Sequence, residues 1–522
     1  DIATTEDFTY FISNAFGSYT YQTVNAFALD YSGNATGVRN WQRYLQTFGQ
    51  PVVDASINEY GFYLEDQWRA TSKLTVNLGA RYDRSGLPQP AVFNHDYPQT
   101  SHVQTGTRNL APRIGIAYTL NDKTVLRAGY GMFTSRFLGS VIDNLFTNNG
   151  VLQSAITLNN TNAAQLAAGP VFPNALATAP TGGSLGASSL QFLDPHLRTP
   201  YSEQGTVAIE RELLKDLGLT ASYIWSRGIQ LYGVRDLNLP QLSSTNFTYT
   251  IADAGGNPTG SYTTPMYLGN RPDPRYGAIY QDENGVNSYY NALAVQLRKR
   301  FSHGFTTDVS YTWSHEIDDG QSNGSGALFF SSANNWLFNG NYKADKGSGS
   351  LDQRHRLVFS FVWAPTFTHR DGAFFKYFVN NWQLSSITSM QSGRPFNSPS
   401  VRVTDTPVPG MFSNFNLDGS GLNGRVPFLP VNSIYTPPQY HADVRLSKIV
   451  PIKERVKLYL NFEAFNISNS WAATGFTSAQ AYSEAKGVLT ATPQLLNIPS
   501  SDGGFPDGTQ ARRMQTGVRI VF

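Results

Sequence analysis

Residues 58–83, NEYGFYLEDQWRATSKLTVNLGARYD, alternate apolar and polar side chains on both sides of a short polar break. Tyr60, Phe62, Leu64 and Trp68 share one face, interrupted by Asp66, while Gly61, Tyr63, Glu65, Gln67 and Arg69 share the other. Beyond Ala70-Thr71-Ser72, Leu74, Val76, Leu78, Ala80 and Tyr82 alternate with Thr75, Asn77, Gly79, Arg81 and Asp83. A period of two is the signature of a strand, and two such runs across a tight break make a hairpin. A chain built from this unit can bury its apolar stripe in a soluble core. Alternatively, it can close into a barrel whose apolar stripe meets lipid and whose polar stripe meets water.

The unit recurs along the chain. Ile114, Ile116, Tyr118 and Leu120 lead through Asn121-Asp122-Lys123 to Leu126, Ala128, Tyr130 and Met132. Val207, Ile209 and Leu213 turn at Lys215-Asp216 into Leu219, Ala221, Tyr223 and Trp225. Leu293, Val295 and Leu297 turn at Ser302-His303-Gly304 into Phe305, Val309, Tyr311 and Trp313. Leu357, Phe359, Phe361 and Trp363 are answered by Trp382, Leu384 and Met390, and Ala442, Val444 and Leu446 by Val456, Leu458, Leu460, Phe462 and Ala464. Met514, Thr516, Val518, Ile520 and Phe522 mark a final strand. The pattern predicts about fourteen strands, the first of them near Ser18 to Leu29.

The connections alternate in length. Those within pairs are mostly a few residues, whereas the segments near 84–108, 134–202, 228–288, 316–352, 392–438 and 467–509 are long and rich in Gly, Asn, Ser and Pro. Short turns at one end and long loops at the other are the habit of outer-membrane barrels, and a compact soluble domain rarely carries so many long loops. Composition agrees: charged residues make up 15% and aromatics 13% of 522 residues, with no cysteine. A net charge of +2 leaves no field aimed at nucleic acid. No run of about 18 apolar residues forms a membrane helix, which leaves strands as the means of crossing. The mixed polar faces, with Arg81, Arg127, Lys457 and Glu463, belong to the lumen, because Arg or Lys facing lipid at mid-membrane costs ~2–4 kcal/mol. Arg211 and Lys448 fall on apolar faces near turns, where they can snorkel to the interface. No composition break divides the chain, so residues 1–522 are expected to form one unit. The fold expected is an all-β, antiparallel up-and-down transmembrane barrel with short periplasmic turns and long extracellular loops.

Several stretches together resemble the C-terminal barrel of TonB-dependent receptors, nearest the Oar-like subgroup that bears a carboxypeptidase-regulatory domain. They are the opening hairpin, LAPRIGIAYTLNDKTVLRAGYGMF, DQRHRLVFSFVW, NNWQLSSITSMQSGRPF, HADVRLSKIVPIKERVKLYLNFEAFNISN and the terminal QTGVRIVF. The resemblance runs from about residue 58 to the end. It implies a barrel of about 22 strands, a plug domain and a TonB box ahead of the wall, and uptake of a nutrient such as an oligosaccharide, peptide or metal chelate. This chain carries about fourteen strands and no recognisable plug or TonB box, so it is read as the C-terminal part of such a receptor or as a shortened relative. The partners implied are outer-membrane lipid, the barrel-assembly machinery, TonB through a preceding region, and a small ligand. The alternative is a structural or adhesion barrel that binds partners through its loops without import.

Val518, Ile520 and Phe522 resemble the terminal signal read by the barrel-assembly machinery. Tyr276, Tyr280, Tyr289, Tyr290 and Asn335 lie in or beside long loops, where aromatic faces and amides suit a sugar or peptide ligand. HEIDDG, residues 315–320, offers oxygen ligands suited to Ca²⁺, yet is read as a solvated acidic loop. NLDGSG, residues 416–421, lacks the spacing and closing Glu of a calcium loop. The Arg354-His355-Arg356 run is read as a basic strand entrance. With no GxSxG, HExxH or Gly-rich phosphate loop, no catalytic residue, cofactor or metal is expected.

Overall fold

The computed structural model describes the chain apart from residues 1, 11, 13, 34–36, 51, 105, 137–138, 161, 180–187, 321–335, 404, 453–455, 472–474, 477, 494–495 and 498–510. Fourteen strands follow one another along a single antiparallel path. They are β1 (Ile2–Tyr10), β2 (Val52–Arg69), β3 (Leu74–Gly86), β4 (Leu110–Asn121), β5 (Thr124–Thr134), β6 (Tyr201–Leu214) and β7 (Leu217–Asp236). Then come β8 (Ile279–Ser302), β9 (Phe305–Asp318), β10 (His355–Trp363), β11 (Trp382–Gln391), β12 (Gln439–Pro451), β13 (Lys457–Phe465) and β14 (Arg513–Val521). Each strand pairs with its neighbours in sequence, so the wall is a meander. The first strand differs from expectation. Ser18–Thr20 belongs to a small separate sheet and Val24–Tyr31 is a helix, while Ile2–Tyr10 pairs with β2. Its core, Thr4-Thr5-Glu6-Asp7, has no apolar alternation to betray it.

Register decides where the apolar stripe points. Residues opposite each other in an antiparallel pair share a face, so a line of partners traces one side of the wall. One line runs Trp68, Val76, Ile116, Ala128, Val207, Tyr223, Leu293, Trp313. Another runs Leu74, Tyr118, Leu126, Ile209, Ala221, Val295, Tyr311, Leu357, Met390, Tyr440. The opposite side carries Glu65, Gly79, Arg113, Gly131, Gln204, Ser226, Tyr290 and Glu316. The apolar side is not packed on anything: Leu64 is 79% exposed, Val207 58% and Met514 71%. Among the described residues the hydrophobic clusters are built at the loop end, and Leu64, Ile116, Val295 and Leu446 enter none of them. A continuous apolar band of this extent is the mark of a surface that meets lipid. The dry soluble core is therefore excluded in favour of the membrane wall.

Turns at one end are tight. The β8–β9 turn places His303 at φ 51° and Gly304 at φ 73°, the positive pair that two-residue hairpin turns demand. On the apolar side Gly205 leaves a gap that Trp225 fills, and a Cβ there would meet its ring at 2.4 Å. Trp225 in turn packs on Tyr130 with centroids 5.7 Å apart.

The long connections, for all their Gly, Asn and Pro, are not structureless. A helix, Gly139–Thr147, packs with Ala55, Ile57, Leu87 and Val103 in one buried cluster. Five short strands drawn from three different loops form a second sheet, in the order Pro258–Tyr267, Leu242–Ala252, Val488–Ala491, Gln480–Ala485, Ser400–Val403. Its two loop-to-loop seams are parallel. A third sheet joins Ser18–Thr20, Arg43–Gly49 and Gln153–Asn159.

Candidate functional site

Two polar surfaces result from this architecture: the inner face of the wall and the recesses of the loop layer. On the inner face, charged side chains are paired along one strand, as in β3, or across neighbouring strands. Arg81 Nε donates to Asp83 at 2.8 Å and Arg127 Nε to Glu210 at 2.9 Å, while Gln296 Nε2 donates to both oxygens of Asp308 at 3.0 and 3.1 Å. Arg445 donates to Glu463. A recess of about 740 Å³ lies here, lined by Arg298, Arg300, Asp308, Ser385, Asp443, Arg445 and Glu463 among others.

In the loop layer a second cavity of about 530 Å³ is shaped by four segments. The end of β9 contributes Asp318 and the turn Tyr342–Asp345 contributes Asp345. The β11–β12 loop supplies Arg402, Asn414, Asn423 and Arg425, and the last loop supplies Gln480. Arg425 is a clamp: Nε donates to Asp345 at 3.0 Å and Nη2 to the Ala344 carbonyl at 3.1 Å, with both charged side chains 4% exposed. Burial holds the Asp345 carboxyl above its usual range, against the downward pull of Arg425. The remaining lining is amide, hydroxyl and backbone, which suits a ligand rich in hydrogen-bonding groups.

The speculative ligand residues fall into separate places. Tyr276 sits in a seam between two loops, edge-on to Tyr97 with centroids 5.2 Å apart and receiving a hydrogen bond from Asn94 Nδ2 at 3.0 Å. Arg275 closes the same seam onto Asp96 and Asp273, each at 2.8 Å. Arg275 holds Asp273 down to about 2, and burial, helped by Asp273, pushes Tyr97 up to about 12. Tyr280 packs against the cluster of Val234, Leu239, Val286 and Trp336. Tyr290 faces the lumen side, opposite Ser226 and Glu316, whereas Tyr289 is on the other face beneath Lys346 Nζ, 5.3 Å from its ring. Asn335 lies outside the described residues. None of the four described residues lines the 530 Å³ cavity.

HEIDDG is not a solvated loop. Asp318 and Asp319 are buried, with Asp318 accepting from Gly320 N at 2.8 Å and Asp319 from Asn287 N at 3.2 Å. His315 and Arg354 both bond Asp352, which is buried too. NLDGSG is a buried tight turn, with Gly419 and Gly421 at positive φ and Asp418 accepting from Ser420 N at 2.9 Å. Among the described residues no cluster has a metal-binding arrangement. The charges sequence reasoning missed are Asp345, Asp352 and Arg425. They stand among Gly and Asn in apparent loops, and only the fold brings their partners across.

A family model of the outer membrane beta barrel domain matches residues 2–495. The chain belongs to this outer-membrane β-barrel family. The barrel's residence is thus the bacterial outer membrane, which it crosses with strands. Among solved structures the barrel is similar to the outer membrane transporter YddB from Escherichia coli, at 10% identity and a TM-score of 0.46, over 92% of this chain and 49% of that one. It is also similar to a mutant of the ferric enterobactin receptor PfeA from Pseudomonas aeruginosa, at 11% identity and 0.46, over 100% and 50%. A third is the FrpB iron transporter from Neisseria meningitidis, at 11% and 0.43, over 100% and 52%. The barrel spans about half the length of these structures. No curated protein matches it.

Proposed function

We propose that residues 1–522 are the C-terminal part of the wall and loops of a TonB-dependent receptor that takes up a small nutrient. In this reading the tight turns face the periplasm, the loop layer captures ligand outside, and the polar inner face lines the route. The observation that carries it is the open wall. Among the described residues β1 pairs only with β2, and β14 only with β13. A strand edge left open in hydrocarbon strands several costly backbone groups, so a spanning sheet must close. About eight further strands would bring the wall to the roughly 22 of the large outer-membrane transporters, with plug and TonB box in the same preceding region. The sequence stretches that resemble this family support the assignment.

The test is uptake by cells expressing the whole gene. Labelled oligosaccharides, peptides and iron chelates are offered with and without a protonophore. Accumulation that the protonophore abolishes, together with a plug and TonB box encoded upstream of Asp1, is the expected result. A gene without plug or TonB box whose barrel is exported but imports none of the probes would overturn it. That outcome would favour the alternative, an interaction barrel. The packed cross-loop sheet, a rigid surface for display, supports that second reading.

A further inference from the structure

One connection at the tight-turn end departs from its neighbours. β10 ends at Trp363 and β11 begins at Trp382, leaving residues 364–381 between them where the β8–β9 turn needs two. This segment exposes three phenylalanines: Phe367 at 55%, Phe374 at 63% and Phe378 at 68%. They continue the lipid-facing side of the wall. Trp363 shares the face of Phe305 and Leu384, and Phe367 stands edge-on to it with centroids 6.1 Å apart. Trp382, opposite Lys448 on the same face, donates its Nε1 to the Phe378 carbonyl at 3.0 Å. Phe374 and Phe378 stack at 5.7 Å along a short helical turn, Phe375–Val379.

The same segment borders a recess of about 730 Å³, with His369, Arg370, Lys376 and Tyr377 in its lining. Asp371 and Asn380 line it as well. The Lys448 ammonium lies against the segment, donating to the Asn380 carbonyl and sitting 4.9 Å above the Trp382 ring. Aromatics continuous with the apolar band, with exposed cations on the same segment, match the boundary between acyl chains and phosphates.

We infer that residues 364–381 form a membrane foot that inserts into the phospholipid leaflet at the turn end of the barrel. Phe367, Phe374 and Phe378 enter the acyl boundary, and Arg370 and Lys376 take the headgroup phosphate. The occupant is lipid because the patch runs unbroken into a wall face that meets lipid, and because its cations complement phosphate. The inference goes beyond the transport reading and needs only the lipid-facing wall.

The chain has no cysteine, so single thiols can be placed without background. Phe367→Cys, Phe374→Cys and Phe378→Cys of the full chain are labelled with a nitrobenzoxadiazole dye. Each is folded into vesicles of phosphatidylethanolamine and phosphatidylglycerol, and heat-modifiable migration identifies the variants that fold. Iodide quenching several-fold weaker than at a labelled Asp371→Cys control, with strong quenching by lipids nitroxide-labelled high on the acyl chain, is expected. Iodide quenching equal to the control at every folded position would overturn the inference. Protection in native outer membranes but not in vesicles would also overturn it, pointing to a protein partner. The headgroup contact predicts that dye protection rises with phosphatidylglycerol content and that Arg370→Gln with Lys376→Gln removes this dependence. An unchanged dependence would overturn that contact.

Discussion

At the scale of single residues, the wall separates two kinds of position that are neighbours in sequence. Leu64 and Glu65 differ by one residue and by the whole thickness of the sheet. Leu64→Arg is expected to lower barrel stability in lipid vesicles by ~2–4 kcal/mol, whereas Glu65→Arg should change it by about 0.5 kcal/mol or less. Urea titration of the folded fraction measures both. At the outer end of β8, where it pairs with Leu190–Leu193 of the loop layer rather than crossing the membrane, Asp282 is fully buried, with Gln191 Nε2 donating to its two oxygens at 3.0 and 2.9 Å, and burial holds its carboxyl well above the usual carboxylate range. A carboxyl raised in the folded state favours folding at low pH. That contribution fades as pH rises from its unfolded value of about 3.9 towards the folded one. Asp282→Asn is therefore expected to make the loop layer more resistant to proteolysis than wild type at pH 7, with the gap closing below about pH 4. Greater sensitivity of the variant at pH 7 would show that Asp282 is held charged. At Asp273 the sign is opposite. Arg275 holds its carboxyl down to about 2, so the seam it closes weakens only as pH falls from about 4 through that value.

Elements show which parts of the sequence speak plainly. β2 to β14 were legible because a membrane wall repeats every two residues and tolerates few exceptions; Asp66 is one, exposed on the apolar side opposite Leu78. β1 was hidden because its polar core carries no alternation, and it is placed only by its ladder with β2. The loop sheets were hidden for another reason. Thr250 pairs with Val488 and Val401 with Tyr482, and such distant, short pairings leave no local pattern. The turns, by contrast, carry local chemistry. Gly304→Ala is expected to destabilise by at least ~1 kcal/mol, because an alanine there would hold a left-handed φ and its Cβ would come 2.5 Å from the Ala364 carbonyl oxygen. His303→Asn should be neutral or stabilising, since Asn-Gly is the preferred pair in such turns. Refolding yield into vesicles compares the two. In β14, Val518 and Ile520 lie opposite Leu460 and Leu458, and Phe522 extends beyond as an exposed aromatic end. If these three form the assembly signal, deleting Phe522 should reduce the yield of heat-modifiable barrel in cells. An unchanged yield would leave the residue as a lipid contact alone.

For the whole molecule, one arrangement accounts for the rest: an apolar face that touches acyl chains and a polar face that touches water. The loop layer packs its own cores above that wall, so the candidate site was only partly legible. The aromatic loop residues were visible as types, but Tyr276 and Tyr280 are spent on packing, and the cavity is instead shaped by Asp345 and Arg425 meeting across 80 residues of sequence. The most direct measurement is a spin-label scan of the wall in bilayers, with single cysteines at Leu64, Glu65, Val295, Gln296, Leu446 and Arg445. The account predicts that collision with oxygen dominates at Leu64, Val295 and Leu446, and that collision with a water-soluble nickel chelate dominates at Glu65, Gln296 and Arg445. Equal exposure of both sets to the chelate, in a chain that stays monomeric and folded without detergent, would contradict it.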